Sequence, residues 1–577
     1  MGRLKSYIRP YYLFIAFTLL VKLGGAVAEL FVPYFMERIL REGAAAAQKG
    51  RILLYGGGML LCAALCLVLN VIANRMSAVS SGRITRKLRY DLFAKLNSLS
   101  PRQMDELTLA SAESRLTSDT YRVNEFLARG QRLGVRAPIL LTGGIFMMLW
   151  MDARLALVPV ALLPFIALSV WLITKNSVPL YRKEQTVLDS MVRVVQENVT
   201  GVRVIKALSK ADYERGRFEG VNDELTRTGA KAGAVSALNN PIASLVLNLG
   251  LTAVVVVGAY RVSGGQTKSS VIVAFLQYFV MILNAMLGVT RIFIMAARST
   301  ASAHRVADVL ELPRDLAPIP AVEGSVSQEE APEIEFRDVS FSYTGVGENL
   351  SHLSFRLMKG QTLGILGATG SGKSTVVNLL MRMYDADRGQ ILIGGRDVRS
   401  YEPKELRQLF GAVFQNDFLT EGTVADNIRF FRTLSDGALQ KAAEDAQAAE
   451  FIERKDGGME ASVAIRGNNL SGGQKQRLLI ARALAGDPEI LILDDASSAL
   501  DYRTDALLRR ALRTRHREVT TVLIAQRISS IRRADLILVL DDGKVLGSGT
   551  HESLMQTCEE YRLIAETQMG TGEEAEA

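Results

Sequence analysis

Gly367-Ala368-Thr369-Gly370-Ser371-Gly372-Lys373-Ser374-Thr375 decides how this 577-residue chain is read. The stretch follows the apolar run Thr362–Leu366 and opens the helical run Val376–Met383. Strand, glycine loop, helix is the context a phosphate-binding loop requires. Its glycines let backbone N–H groups approach phosphate oxygens, and the helix N-terminus adds a favourable dipole. In such a loop Lys373 reaches the β- and γ-phosphates and the Ser374 hydroxyl binds Mg²⁺. The expected phosphate contacts are therefore Gly367, Gly370, Gly372, Lys373, Ser374 and Thr375.

Downstream, Ile490-Leu491-Ile492-Leu493 is an apolar strand that ends in Asp494-Asp495. An acidic strand end is common by itself. Paired with the glycine loop, Asp494 is placed to hold the magnesium, directly or through water. Around these motifs, short β-branched runs alternate with amphipathic helices, so residues 333–569 read as an α/β P-loop nucleotide-binding domain. Ahead of it, residues 311–332 hold Pro313, Pro318, Pro320 and Pro332 among acidic and small residues, which reads as a linker. The tail 570–577 is Gly, Glu, Thr and Ala, and is expected to be disordered.

The first half differs. The whole chain is 48% hydrophobic and 22% charged, but the apolar residues concentrate in residues 1–310, which read as an α-helical membrane domain. Six runs each approach the roughly 20 residues needed to span a bilayer. They are Tyr11–Met36, Ile52–Ala73, Val135–Met151, Leu155–Thr174, Pro241–Tyr260 and Val271–Ala297. Disorder is excluded for most of the length, and three cysteines exclude a disulfide framework. The first run is too long for a signal peptide and is read as a retained helix behind a short basic amphipathic piece.

The net charge of +8 admits nucleic acid or a membrane surface. Its distribution decides. Arg75–Arg136 holds twelve Lys/Arg and Lys175–Lys231 eleven, against one in Asp152–Arg154 and two in Arg261–Lys268. By the positive-inside tendency the N-terminus, both long polar stretches and the nucleotide-binding domain are cytoplasmic, in a multi-pass plasma-membrane protein. No nucleic-acid partner is expected. The first outer turn, with Arg38, Arg41, Lys49 and Arg51, breaks the pattern. Both polar stretches keep helical spacing, which extends the membrane helices far into the cytoplasm.

With these parts in order, the residues resemble ATP-binding cassette (ABC) transporters, specifically half-transporters of the exporter type. The most specific element is Leu470-Ser471-Gly472-Gly473-Gln474, which resembles the family's signature motif. The resemblance implies that two cassettes face each other, and that Ser471, Gly472, Gly473 and Gln474 contact ATP bound to the opposite cassette. It also implies that Tyr343 stacks on adenine, that Gln415 contacts magnesium and water, and that Ser498-Ala499-Leu500-Asp501 communicates across the dimer. Pro101–Ala112 and Ala211–Phe218 occupy the places of the two coupling helices.

Three departures carry weight. The family has Glu after the magnesium aspartate, where it polarises the attacking water; here Asp495 is one methylene shorter. The family has His after the next strand; here Gln526 stands there. Val463–Gly467 also lacks the acidic residue usual ahead of the signature. Losing a well-placed general base costs about 10²–10⁴-fold. A weakly hydrolytic site beside an intact signature is the expectation for the degenerate member of a heterodimer with a second half-transporter; a slow homodimer is the alternative.

Function is then expected to be ATP-driven export of amphipathic or drug-like compounds, with ATP and Mg²⁺ as cofactors. An importer of metal chelates with exporter architecture, or an ATP-gated channel, are the alternatives. Six spans exclude a soluble cassette protein. Ionisable groups inside spans are functional candidates. Lys22 and Glu29, seven apart on one face of the first span, are read as a pair or as cavity lining, and Asn284 and Arg291 of the sixth span as further substrate candidates.

Overall fold

The structure is a computed structural model describing residues 2–44, 48–320 and 331–569. The expected tail and residues 321–330 of the expected linker lie outside the described residues. Two compact units form. One comprises residues 1–97 and 110–312, the other Ser98–Leu109 and the described residues from Pro313 on.

The first unit is helical. Its long helices are α1 (Tyr12–Arg38), α2 (Lys49–Asn97), α4 (Thr120–Met151), α5 (Ala153–Thr200), α6 (Ala211–Ala237), α7 (Asn239–Ser263) and α8 (Ser269–Glu311). The short α3 (Pro101–Leu107) belongs to the second unit. Among the described residues five helices are long and apolar enough to cross a membrane, and a further apolar stretch, Ala153–Ser169, opens α5. The helices outrun their apolar segments. At about 1.5 Å per residue the 49 residues of α2 reach roughly 70 Å, over twice the hydrocarbon thickness.

Lipid tails give apolar helices no hydrophobic reason to associate, so small residues and polar contacts hold this bundle. A Cβ on Gly250 of α7 would come within 2.5 Å of the Phe279 ring of α8. Phe275, Tyr278 and Ile282 of α8 are fully buried with Met148 and Leu155, and the Tyr278 hydroxyl donates to the Leu30 carbonyl at 2.7 Å. Leu53, Leu54, Leu60 and Leu61 of α2 stay exposed, as suits a hydrocarbon-facing surface. At the outer turns, Asp152 caps α5 through the Arg154 and Leu155 amides and pairs with Arg261 at 3.1 Å. The basic first turn is explained by Glu42, which pairs with Arg38, Arg41 and Arg51.

In the second unit an antiparallel sheet runs in order β2-β1-β4-β5, from β1 (Ile334–Phe341), β2 (Leu350–Leu357), β4 (Arg388–Ile393) and β5 (Arg396–Asp397). The six-stranded sheet runs β12-β11-β3-β10-β9-β6. Its strands are β3 (Thr362–Gly367), β6 (Phe410–Val413), β9 (Ile490–Asp494), β10 (Thr520–Ile524), β11 (Leu536–Asp541) and β12 (Lys544–Gly549). β3, β6, β9, β10 and β11 are parallel, and β12 turns back antiparallel. Gly422–Thr423 and Ser462–Val463 make a separate two-stranded ribbon, β7 and β8. Buried on both faces, the parallel strands read as unbroken apolar runs in the sequence.

Two expected coupling helices are redrawn. The first ends at Leu107 rather than Ala112, because Thr108 takes φ +62 and breaks it. It is held by Ser100, whose hydroxyl donates to Asp315 at 2.6 Å, and by Gln103 donating to the Pro313 carbonyl. The second short helix is Val202–Ala207; Ser209, at φ +51, reverses the chain, and Ala211–Phe218 starts the long α6.

Candidate nucleotide-binding site

The loop 367–372 leaves the carboxyl end of β3 and delivers helix α9 (Lys373–Leu380). Gly372 takes φ +100, and a Cβ there would lie 2.8 Å from the Asn349 carbonyl. Only glycine turns the chain so tightly into the helix. Lys373 folds back and donates to the Gly367 and Ala368 carbonyls at 2.9 and 2.6 Å, which holds its ammonium over the loop. Burial pushes that ammonium's pKa down, against the opposing pull of Asp494 and Asp495.

One pocket collects most of the expected residues. Tyr343, Gly370, Gly372, Lys373, Ser374, Thr375, Gln415, Asp494, Asp495 and Gln526 line it together. The Ser374 hydroxyl donates to Asp494 at 2.9 Å, so the two oxygens expected to share a magnesium already touch. Burial pushes the Asp494 carboxyl up, eased by the Ser374 hydrogen bond. The Asp495 carboxyl is pushed up chiefly by burial too, with Lys373 and Arg527 pulling it back. Asp495 stands in the left-handed region at φ +51, its N–H on the Ile524 carbonyl and its own carbonyl accepting from the Ser498 hydroxyl. Such a backbone costs about 1–3 kcal/mol, although Asp tolerates it better than most residues.

Tyr343 is fixed from three sides. Its ring meets Phe341 and Tyr384 edge-on at 4.8 and 5.1 Å, and its hydroxyl donates to Thr375 and accepts from Asn378. Tyr384 in turn donates to Asp105 of α3 at 2.9 Å. Burial, then that carboxylate, pushes the Tyr384 hydroxyl pKa up.

Ser471–Gln474 does not line this pocket. Ser471 caps α10 (Gly472–Leu484): its hydroxyl accepts from the Gln474 amide at 3.3 Å, while the Gln474 side-chain oxygen accepts from the Ser471 N–H at 3.0 Å. That capping box aims the helix's free N–H groups outward from an exposed Ser471 and Gly472. Ala499, in the loop after Asp495, lies against Gly472 and Gly473.

The residues match known proteins along nearly their whole length. Residues 15–286 match the ABC transporter transmembrane region, and residues 350–498 the ABC transporter domain. An uncharacterised ABC transporter ATP-binding protein of Mycobacterium tuberculosis is 33% identical over 98% of each chain. The chain is an ABC transporter. The ATP-dependent lipid A-core flippase of Vibrio vulnificus is 30% identical over 99% of the transporter and 98% of its own length. A bacterial Atm1-family ABC exporter solved with ATP bound superimposes at TM-score 0.81, with 24% identity over 99% of each chain. The transporter is thus an ATP-hydrolysing, multi-pass membrane translocase with the exporter fold, and ATP is its nucleotide.

Of the substrate candidates, Lys22 and Glu29 line one cavity but do not pair with each other. Lys22 donates to Asn70 and Asn74 at 2.5 and 3.2 Å, and Glu29 accepts a two-pronged contact from Arg136 at 2.7 and 3.0 Å. Their facing partners on α2 and α4 win over a residue two turns away on the same helix. Asn284 is exposed and outside that cavity. Arg291 lies on α8, and its side chain is outside the described residues.

Three residues that shape the site, Asn349, Asn378 and Gln568, carry no mark in the sequence. Asn349 lines the pocket and accepts from the Tyr343 N–H, and Asn378 reaches the Tyr343 hydroxyl from α9. Gln568 stands on the last helix, α11 (Glu559–Met569), and grips the loop after β10. It donates to the Gln526 carbonyl and accepts from the Ile528 N–H, both at 2.8 Å. Only the position of Asn378, one turn beyond the phosphate loop, hints at its place.

Proposed function

We propose that this transporter exports amphipathic compounds as one half of a heterodimer, holding ATP at its own weakly hydrolytic site and lending its signature to the competent site of a second half-transporter. The observation that carries the reading is the pairing of Asp495 and Gln526 in one pocket with an intact signature outside it. A chain whose signature caps another chain's nucleotide needs that geometry. The flippase among its relatives supports a lipid-like or drug-like cargo. Mg²⁺ suits the donors: a hydroxyl, a carboxylate and an amide, all hard oxygens, from Ser374, Asp494 and Gln415. Held by those three side chains, the ion would supply charge neutralisation to the phosphates. Loop amides and Lys373 orient the triphosphate, Tyr343 takes the base, and Asp495 and Gln526 face the γ-phosphate end.

The test is co-purification. The chain alone should hydrolyse ATP slowly, and hydrolysis should rise when the partner half-transporter is co-expressed. ATP-dependent accumulation of a lipophilic dye inside inverted vesicles supports export; an ATP-independent leak supports a channel. Vigorous turnover by the isolated chain removes the degenerate-site reading.

A further inference from the structure

Arg122, Glu125, Arg129, Arg132 and Arg136 follow one another at steps of three and four along α4. That spacing puts all five on one helical face. A face packed on neighbouring helices is normally apolar. This one is charged, and it lines a cavity of about 780 Å³ wholly inside the membrane unit. Lys22 of α1 and Arg298 of α8 face the same space. Six cations therefore stand against two carboxylates, Glu29 and Glu125, a net of +4.

The pairing is uneven. Arg136 is taken by Glu29 and Arg129 by Glu125. The buried Lys22 ammonium rests on neutral amide oxygens of Asn70 and Asn74. Arg122, Arg132 and Arg298 have no carboxylate within ion-pair distance among the described residues. Arg122 and Arg298 are exposed and Arg132 half-buried, so all three guanidinium groups are open to a ligand that enters the cavity.

We propose that this cavity binds the anionic group, phosphate or carboxylate, of an amphipathic molecule, with Arg122, Arg132 and Arg298 as its recognition set. The planar guanidinium fork matches the oxygens of either group. Leu133 and Met295, on the same wall, meet the apolar part. The volume falls in the range of about 300–1,000 Å³ that small-molecule sites occupy. A cationic amphiphile is repelled by the net charge. This rests on the export reading and deepens it by naming the charge of the cargo.

The experiment uses the full chain in phosphatidylcholine nanodiscs without ATP. Dodecyl phosphate should bind saturably, and dodecyltrimethylammonium, of equal chain length and opposite charge, should not. Arg132→Gln with Arg298→Gln should weaken dodecyl phosphate by about tenfold or more, the scale of a lost charge-assisted hydrogen bond. Lysine at both positions should restore most of it. Glu125→Gln, which raises the net charge and leaves those three arginines alone, should tighten binding. Competition by inorganic phosphate assigns the site to small free anions, and lack of competition to a headgroup; both keep the anion chemistry. Equal binding of the ammonium, or unchanged dodecyl phosphate affinity in the double variant, overturns the proposal. In inverted vesicles that hold the chain with its partner half-transporter and ATP, binding without transport defeats the export reading alone, and transport without charge preference defeats the cavity assignment alone.

Discussion

Ser471→Arg separates the two ends of the cassette. In the structure the Ser471 hydroxyl caps α10, so its loss costs about 0.5–2 kcal/mol of stability. A cation at the positive end of the helix adds about 0.3–1 kcal/mol. Together these reach about 1–3 kcal/mol, less than the roughly 5–15 kcal/mol that holds a typical domain folded. The variant should therefore fold, while under the proposed assembly its guanidinium would fill the space between the exposed helix end and another cassette's phosphate. Loss of such a donor costs about 10²–10³-fold in rate. Asp495→Asn is the contrast. Asn tolerates φ +51 as Asp does, so no new backbone strain enters. If the own site does little chemistry, as proposed, activity of the complex should change by less than about threefold, well short of the 10²–10⁴-fold that a working base commands. Lys373→Ala should fall between them. Ser471→Ala, which loses the cap without bulk or charge, controls for stability. The assay is steady-state ATP hydrolysis by the purified complex, with melting temperature alongside. If Asp495→Asn is as damaging as Ser471→Arg, Asp495 is a working base and the asymmetric reading is wrong.

Three further outcomes are expected. Tyr384→Phe keeps the ring cluster but loses the Asp105 contact, so a double-mutant cycle with Asp105→Ala should return a coupling of about 0.5–1.5 kcal/mol in unfolding free energy. Asp505 is buried, which raises its carboxyl pKa despite Arg509 and Arg527. The folded chain then holds that proton to higher pH than the unfolded chain; the stabilisation is complete below the ordinary carboxylate value and is lost as pH rises through the raised one. Asp505→Asn should flatten that slope in melting temperatures taken from about pH 4 to pH 7. Gln568→Ala frees the loop after β10 from its two side-chain contacts, and amide exchange at residues 525–528 should speed up by about tenfold with little change in global melting.

What was legible in the sequence was local. The glycine loop, the acidic strand end and the apolar runs announce themselves within about twenty residues, because strand-loop-helix geometry and bilayer thickness act over that length. What was not legible joins distant residues. Glu29 meets Arg136 across 107 positions, and Asp105 meets Tyr384 across 279. The seven-residue spacing of Lys22 and Glu29 did put them on one wall, but facing helices supplied partners that no spacing rule names. The basic count of α4 served as an orientation signal, whereas its three-and-four spacing, on which the anion-cavity proposal rests, was not read. The coupling-helix ends moved because single residues, Thr108 and Ser209, enter the left-handed region, for which neither carries a compositional mark.

The allocation of α3 changes what a cut can do. The polypeptide passes between the two units three times, after Asn97, after Leu109 and after Leu312. A protease that nicks only the proline-bearing segment after Leu312 severs one connection of three. Asp105 would still tether α3 to the nucleotide unit through Tyr384, whereas Pro313 and Asp315, the partners of Gln103 and Ser100, belong to the nicked segment itself. Two fragments should then appear on a denaturing gel while the nicked molecule still migrates as one particle through a sizing column, and only further cuts on both sides of α3 should let the halves part.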